Sequence, residues 1–239
     1  MSFKNYKHTL LPNQKLLTKF YDGSKRTFYD DLFKIIVKYS DFIIPKKKYK
    51  IQSSSLHTIE EMASNPLALS FYKFIVSSIN PKNILEIGCF IGLSTMEFAK
   101  ASNKKCKVYT IEKFDHFAEI AINNFKKNKL NKKIILLNGD ANIILKTYKF
   151  KHKFDIIFID GNKENYKELF KLSEKLISSK GIFIIDNILN QGDVLNTKPK
   201  TSKGQGVKNL INYLKRRDDL HKCILPFYDG IMLVKKLSP

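Results

Sequence analysis

The sequence predicts a doubly wound α/β domain on a mostly parallel sheet of seven strands, with an antiparallel last strand and helices ahead of it. Three observations carry this. Short, nearly continuous apolar runs such as Phe154-Asp-Ile-Ile-Phe-Ile-Asp160 have the pattern of strands buried on both faces. From residue 84 onward these runs alternate with segments of helical period, at the spacing of parallel crossovers. Two runs also end in acidic residues: Asp160 precedes Gly-Asn-Lys163, and Gly181-Ile-Phe-Ile-Ile-Asp186 precedes Asn187.

In chain order, Ile84-Leu-Glu-Ile87 is a strand ending at Gly88, and Leu93 to Ala101 is the helix that follows. Lys107-Val-Tyr-Thr-Ile-Glu112 is the second strand, followed by a helix with Phe117, Ile120, Ala121 and Phe125 on one face. Lys133-Ile-Ile-Leu-Leu137 is the third and runs into Gly139-Asp-Ala141. The strand from Phe154 precedes a helix expected from about Lys163 to Ile177, with Lys180-Gly181 turning back into the strand at Ile182. A polar loop from Gln191 to Gly206 and a helix near Val207 to Lys215 lead to strands at Lys222 to Pro226 and Ile231 to Lys235. The link Phe227-Tyr-Asp-Gly230 signals a hairpin, which makes the last strand antiparallel.

The first 80 residues differ in character. Leu32, Ile35, Ile36 and Tyr39 fall at helical spacing, Ile44-Pro45-Lys46 breaks the pattern, and a helix over Pro66 to Ile79 stops at Asn80-Pro81. The division expected is a helical extension over residues 1–52, serving as lid or dimer contact, and one domain over 53–239.

A chain of 239 residues with 43% hydrophobic content suffices for one large core. No stretch approaches the roughly 18 apolar residues of a membrane span, and Met1 to His8 lacks the apolar centre of a secretory signal. Cys89, Cys106 and Cys223 are too few and too scattered for a disulfide framework or a zinc site, which fits a reducing cytoplasm. The net charge of +21 points toward polyanions. Against this, only Arg26, Arg216 and Arg217 are arginine, and the lysine excess is spread along the chain as solvated faces. Local concentrations occur at Lys46 to Lys50, Lys126 to Lys133 and Lys198 to Lys203.

Open α/β sheets bind ligands at the carboxyl ends of their strands, so Asp160, Asp186 and Asn187 are expected around one point, with oxygen donors suited to a hard cation. The turn Glu86-Ile-Gly88-Cys-Phe-Ile-Gly92 allows close backbone approach to a ligand, and Ser94 can cap the next helix or bond that ligand. It lacks the dinucleotide fingerprint, and an acidic residue ahead of the first glycine suits a cationic ligand better than a phosphate. Glu112 ends the second strand where a carboxylate accepts both hydroxyls of a ribose. A helix cap at Asp160, an ordinary turn at Asp186-Asn187 and a solvated Lys163 are the plainer alternatives.

Together these residues resemble the class I S-adenosylmethionine-dependent methyltransferases, specifically the cation-dependent O-methyltransferase family of caffeoyl-CoA and catechol O-methyltransferases. The resemblance runs from about Ser53 to Lys236 through Leu85-Glu-Ile-Gly88 with Gly92 and Ser94, Gly139-Asp-Ala141, Phe158 to Tyr166, Gly181 to Asn187, and Leu225-Pro-Phe-Tyr-Asp-Gly230. It implies a Rossmann-like sheet, S-adenosylmethionine as cofactor, and Mg²⁺ or Ca²⁺ on Asp160, Asp186 and Asn187. It implies that Glu86, Gly88 and Ser94, joined by Ser64, line the methionine and sulfonium region, with Cys89 a further cofactor contact. Glu112 then holds the ribose, Asp140 and Ala141 the adenine, and Asp160 and Asn162 complete the cofactor contacts. Lys163 matches the general base of catechol-methylating members and stands with Asp160 as the catalytic pair. The implied reaction is methyl transfer to a hydroxyl of a small catechol-like or vicinal-hydroxyl acceptor by a cytoplasmic homodimer. The alternatives are a tRNA hydroxyuridine O-methyltransferase and a non-catalytic S-adenosylmethionine- or RNA-binding module. Departures fall on the acceptor side: Asn162 replaces a second Asp of many relatives, Asn190 and Gln191 follow the Asp-Asn pair, and the chain has no Trp.

Overall fold

A computed structural model describes residues 43–226 and 229–237, together with positions 35 and 38–41. The chain divides into two compact units between Phe42 and Ile43, and the second carries every element named below. Of the helix expected around Leu32 to Tyr39, positions 35, 38 and 39 are helical. Leu32 and Ile36, most of the expected 1–52 extension, and Phe227-Tyr228 of the hairpin link lie outside the described residues.

The seven strands are β1 (Asn83–Ile87), β2 (Lys107–Glu112), β3 (Ile134–Asn138), β4 (Phe154–Ile159), β5 (Ile177–Ile185), β6 (Leu220–Leu225) and β7 (Ile231–Lys236). Their order in the sheet is β3-β2-β1-β4-β5-β7-β6. The first five run parallel, and β7 is antiparallel to both its neighbours. The order reverses at β1, which pairs β2 on one side and β4 on the other, so the crevice beyond β1 and β4 is where this fold places a ligand.

The helices are α1 (Pro45–Lys48), α2 (Ile59–Met62), α3 (Pro66–Ile79), α4 (Leu93–Ala101), α5 (Asp115–Lys127), α6 (Ala141–Thr147), α7 (Tyr166–Glu174) and α8 (Ser202–Lys215). Alternation along the strands sorts the core into two layers. Ile84, Ile156, Phe158 and Ile184 face Leu69, Tyr72 and Val76 of α3, Phe98 of α4 and Phe125 of α5. Leu85, Ile87, Ile157, Ile159 and Ile185 face Leu145 of α6, Leu169 and Phe170 of α7, and Leu210 of α8. Each such side chain, fully buried, stabilises the fold by roughly 1.5–3 kcal/mol relative to exposure.

The structure departs from expectation in three places. Residues 163–165 form a 3₁₀ turn before α7, which ends at Glu174, and Ile177 already belongs to β5, paired with Phe154. The ladder then slips, Ile156 opposing Ile182, so the expected turn at Lys180-Gly181 is an irregularity within the strand. α6, capped by Asp140, occupies a stretch for which no helix was expected. α8 begins at Ser202 rather than Val207, because Thr201 caps it and accepts from Gly204 N at 2.9 Å.

Segment 43–65 runs across α4 and α5. Glu97 of α4, fully buried, accepts from Lys48 Nζ at 2.6 and 2.8 Å and from Tyr49 OH at 2.7 Å. Asn124 of α5 accepts from Gln52 N at 2.6 Å and donates to Gln52 O at 3.1 Å. These bonds bring residues 61–65 to the rim of the crevice. Among the described residues no helix is long and apolar enough to cross a membrane, and all three cysteines are free.

Candidate active site

The carboxyl ends of β1 to β5, the α2–α3 link and the start of α8 enclose a cavity of about 590 Å³, within the usual range of small-molecule sites. Of the residues singled out from sequence, Ser64, Gly88, Cys89, Ser94, Glu112, Asp140, Ala141, Asp160, Asn162, Lys163, Asp186 and Asn187 all line it. Glu86 does not. Its carboxylate lies beneath the floor, wholly buried, and accepts from Ser94 Oγ at 2.5 Å, Thr110 Oγ1 at 2.6 Å and Thr95 Oγ1. Burial pushes this acid up to about 7 against the pull of the three hydroxyls. Glu86 meets the lining of the cavity through Ser94, and through Thr95 beside Cys89.

Gly88 fixes the first wall. At φ 101° it needs the freedom of glycine, and a Cβ there would stand 2.2 Å from the carbonyl oxygen of Asp160. The turn after β1 thus lies directly on the end of β4. Glu112 ties the same turn down: one oxygen accepts from Cys89 N at 3.2 Å and Phe90 N at 2.7 Å, the other from Phe114 N at 3.0 Å. The Cys89 thiol, buried beside Thr95, is pushed well above its ordinary pKa by desolvation, which makes it a packing group rather than a nucleophile.

Asp140 caps α6 by accepting from Asn142 N at 2.9 Å and pairs with Lys113 Nζ at 3.1 Å. The lysine hydrogen bond holds its pKa below the usual carboxylate range. Next to it, the Oδ1 of Asn142 is buried with no hydrogen-bond partner among the described residues. Phe90, Phe114 and Phe117 stack edge to face along this side, at centroid distances of 5.0 and 5.8 Å. An aromatic cluster beside an unmatched acceptor fits a purine, and Glu112 next to it fits the attached ribose.

The other end is built by sheet register. Asp160 N donates to Ile87 O at 2.9 Å and Asp186 N to Ile159 O at 3.0 Å, so adjacent parallel strands release their acids side by side. Asp186 accepts from Asn187 N at 2.8 Å, and Tyr166 OH donates to the Asp186 carbonyl at 3.1 Å. Asn187 takes a left-handed φ of 52°, where Asn is among the residues that tolerate it. Burial and then the charge of Asp160 push Asp186 up to about 7. Burial also raises Asp160, opposed by Lys163, whose Nζ stands 3.4 Å from Asp160 Oδ1. Among the described residues no three His, Cys, Asp or Glu side chains gather into a metal cluster. The donor set present is two carboxylates that repel each other and one amide oxygen, which fits a hard cation completed by water or acceptor oxygens.

Asp229, Lys203 and Asn142 are among the lining residues that the sequence expectation did not include. Asp229 precedes β7, is raised by burial and accepts from Gln191 N. Lys203, in the first turn of α8, forms no ion pair or hydrogen bond among the described residues. Asn142 stands behind the Asp140 cap. Loop and helix-start positions of this kind carry no periodic signal, although Lys203 does fall in a basic concentration already visible in the sequence.

Residues 46–237 match the family model described as O-methyltransferase. A probable caffeoyl-CoA O-methyltransferase of Dictyostelium discoideum is 28% identical over 90% of this chain and 95% of its own length. A catechol O-methyltransferase of Niastella koreensis is 28% identical over 68% of this chain and 77% of its own. The Bacillus cereus O-methyltransferase in complex with SAH superposes with a TM-score of 0.69 at 28% identity, covering 73% of this chain and 83% of that one. TomG of Streptomyces achromogenes, an O-methyltransferase in complex with SAM, gives a TM-score of 0.70 at 26% identity, covering 74% and 82%. With the fold, the cavity and these relatives in agreement, the chain belongs to the S-adenosylmethionine-dependent O-methyltransferase family of the caffeoyl-CoA and catechol type.

Proposed function

We propose that the protein methylates one hydroxyl of a small acceptor carrying two adjacent hydroxyls, with a divalent cation held by Asp160, Asp186 and Asn187. The observation that carries this is the pair of buried strand-end carboxylates, whose mutual repulsion is offset in part by Lys163 and by the amide of Asn187. Relatives named for caffeoyl-CoA and for catechol support it, since both acceptors present vicinal aromatic hydroxyls.

S-adenosylmethionine would supply an electrophilic methyl on its sulfonium, and a divalent cation on Asp160, Asp186 and Asn187 would lower the pKa of a hydroxyl beside it. Glu112 and the aromatic wall at Phe90, Phe114 and Phe117 fix the nucleoside end. Ser64 and Ser94 border the methionine region. Lys163, in its neutral form, would take the proton of the hydroxyl to be methylated, and Asp160 beside it would hold the ammonium that results. Most of the acceleration comes from holding two reactants in line inside walls that exclude water.

The test is transfer from labelled S-adenosylmethionine to a catechol panel and, separately, to bulk tRNA, with Mg²⁺ and with EDTA. Label in a catechol that EDTA abolishes and Mg²⁺ restores is the expected result. Transfer indifferent to EDTA would sink the cation, and label entering only tRNA would move the acceptor to RNA.

A further inference from the structure

Tyr72, in the middle of α3, is wholly buried, and its hydroxyl has no hydrogen-bond partner among the described residues. A phenol gains nothing over a phenyl ring in such a place unless its hydroxyl has something to meet. The sheet shows what that is. The ring packs edge to face on Phe158 at a centroid distance of 5.0 Å and tilts against Phe98 at 6.0 Å. Side chains alternate along a strand, so Phe158 shares its face with Asp160. Phe158 pairs with Ile184 in the ladder, and Ile184 shares that same face with Asp186. The ring therefore lies one layer beneath the two acids. Asp186, followed by Asp160, is the charged group that acts on its hydroxyl most strongly.

We propose that Tyr72 is a positioning residue for the cation site, its hydroxyl donating from beneath to the Asp186 carboxylate. The inference rests on the cation reading above. Asp186 already takes the amide hydrogen of Asn187 on one oxygen. A second donor from inside the sheet fixes its rotamer and turns the remaining lone pairs toward the cavity, the service that outer partners give to metal-binding carboxylates. Tyr166 flanks the same strand end, but its hydroxyl is engaged with the Asp186 carbonyl at 3.1 Å, so the two tyrosines do different work. No other described side chain on this face offers the Asp186 carboxylate an uncommitted buried hydroxyl.

The experiment is Tyr72→Phe in the full chain, which keeps the ring contacts and removes only the hydroxyl. Mn²⁺ affinity is measured by electron paramagnetic resonance with S-adenosylhomocysteine bound, beside S-adenosylhomocysteine affinity and the cation-free melting temperature. The expected result is Mn²⁺ binding weakened roughly 10- to 100-fold, S-adenosylhomocysteine affinity unchanged, melting temperature equal or higher, and turnover recovered at high Mn²⁺. Wild-type protein that binds Mn²⁺ while Tyr72→Phe binds it equally well would overturn this proposal alone. A parallel fall in S-adenosylhomocysteine affinity would also overturn it, since the effect would then be general packing. Wild-type protein that binds no Mn²⁺, or Asp186→Asn that binds it like wild type, would overturn the cation reading and the proposal with it.

Discussion

The two ends of the cavity treat their carboxylates in opposite ways. Around the turns after β1, β2 and β3, Glu86 beneath the floor takes three hydroxyls, Glu112 three backbone amides, and Asp140 a backbone amide and a lysine. At the ends of β4 and β5 the acids are undersupplied: Asp160 has Lys163 at 3.4 Å, and Asp186 has the amide of Asn187. One end is a finished polar scaffold that shapes backbone turns, and the other stores negative charge the protein only partly offsets. Catalytic groups are drawn from such strained electrostatics, whereas satisfied networks serve geometry.

The sharpest way to break this contrast is Asp186→Asn. If the strand-end acids serve a cation, methyl transfer falls on the order of 10³-fold, matching several kcal/mol of lost charge stabilisation. The cation-free protein should meanwhile melt no lower, because a repulsion with Asp160 has been removed. A steady-state assay with a melting curve decides it. A large loss of stability with little loss of rate would show that Asp186 belongs to the scaffold instead.

Glu86 tests the opposite end through pH. Its pKa is raised from 4.5 to about 7 in the fold, so the unfolded state gives up its proton first as pH rises. The stability associated with the protonated form is complete below about 4.5 and is lost as pH climbs toward about 7. That displacement corresponds to on the order of 3 kcal/mol. Glu86→Gln removes the titration, and chemical denaturation from pH 4 to pH 8 should show a flatter profile than wild type. An unchanged profile would mean that Glu86 does not titrate in this window.

Much of this site was legible before the fold was known, for identifiable reasons. Strand ends are marked by the switch from apolar runs to Asp, Asn and Gly, so Asp160, Asp186, Asn187 and Glu112 announced themselves, and register then brought them together. The helix α6 did not, because seven residues with Leu145 as their buried member make too short a period. The start of α8 was hidden by composition. Gly204 and Gly206 suggest a loop, yet a Cβ on Gly206 would stand 2.4 Å from the Lys163 carbonyl, so glycine is there to let the helix meet the 3₁₀ turn. Tyr72 was invisible for a different reason. A tyrosine at apolar helical spacing is ordinary core until a distant strand places Asp186 over its hydroxyl.

Lys163 separates chemistry from binding at the undersupplied end. Lys163→Met should lower kcat about 10²-fold, the usual worth of a positioned proton acceptor. S-adenosylhomocysteine affinity should hold, since Lys163 is bonded to Asp160 and not to the nucleoside wall. A rise in KM for the acceptor with kcat intact would instead make Lys163 a binding group.

The smallest effect is expected from Glu112→Gln, and it asks whether the finished end is independent of the other. Glutamine keeps the length and one acceptor oxygen. It replaces the other with an amide that cannot accept from Phe114 N while the carbonyl serves Cys89 N and Phe90 N. Hydrogen bonds to a charged acceptor are worth about 1.5–3 kcal/mol, and part of that is regained from the neutral amide. S-adenosylhomocysteine affinity should therefore fall about tenfold, or 1.4 kcal/mol, as the turn at Gly88 to Phe90 loosens. Mn²⁺ affinity should stay within twofold of wild type, because Asp160 and Asp186 are placed by strand register and not by this turn. Equal losses in both would show that the Gly88 contact with the Asp160 carbonyl couples the two ends, and the cavity would then respond as one unit.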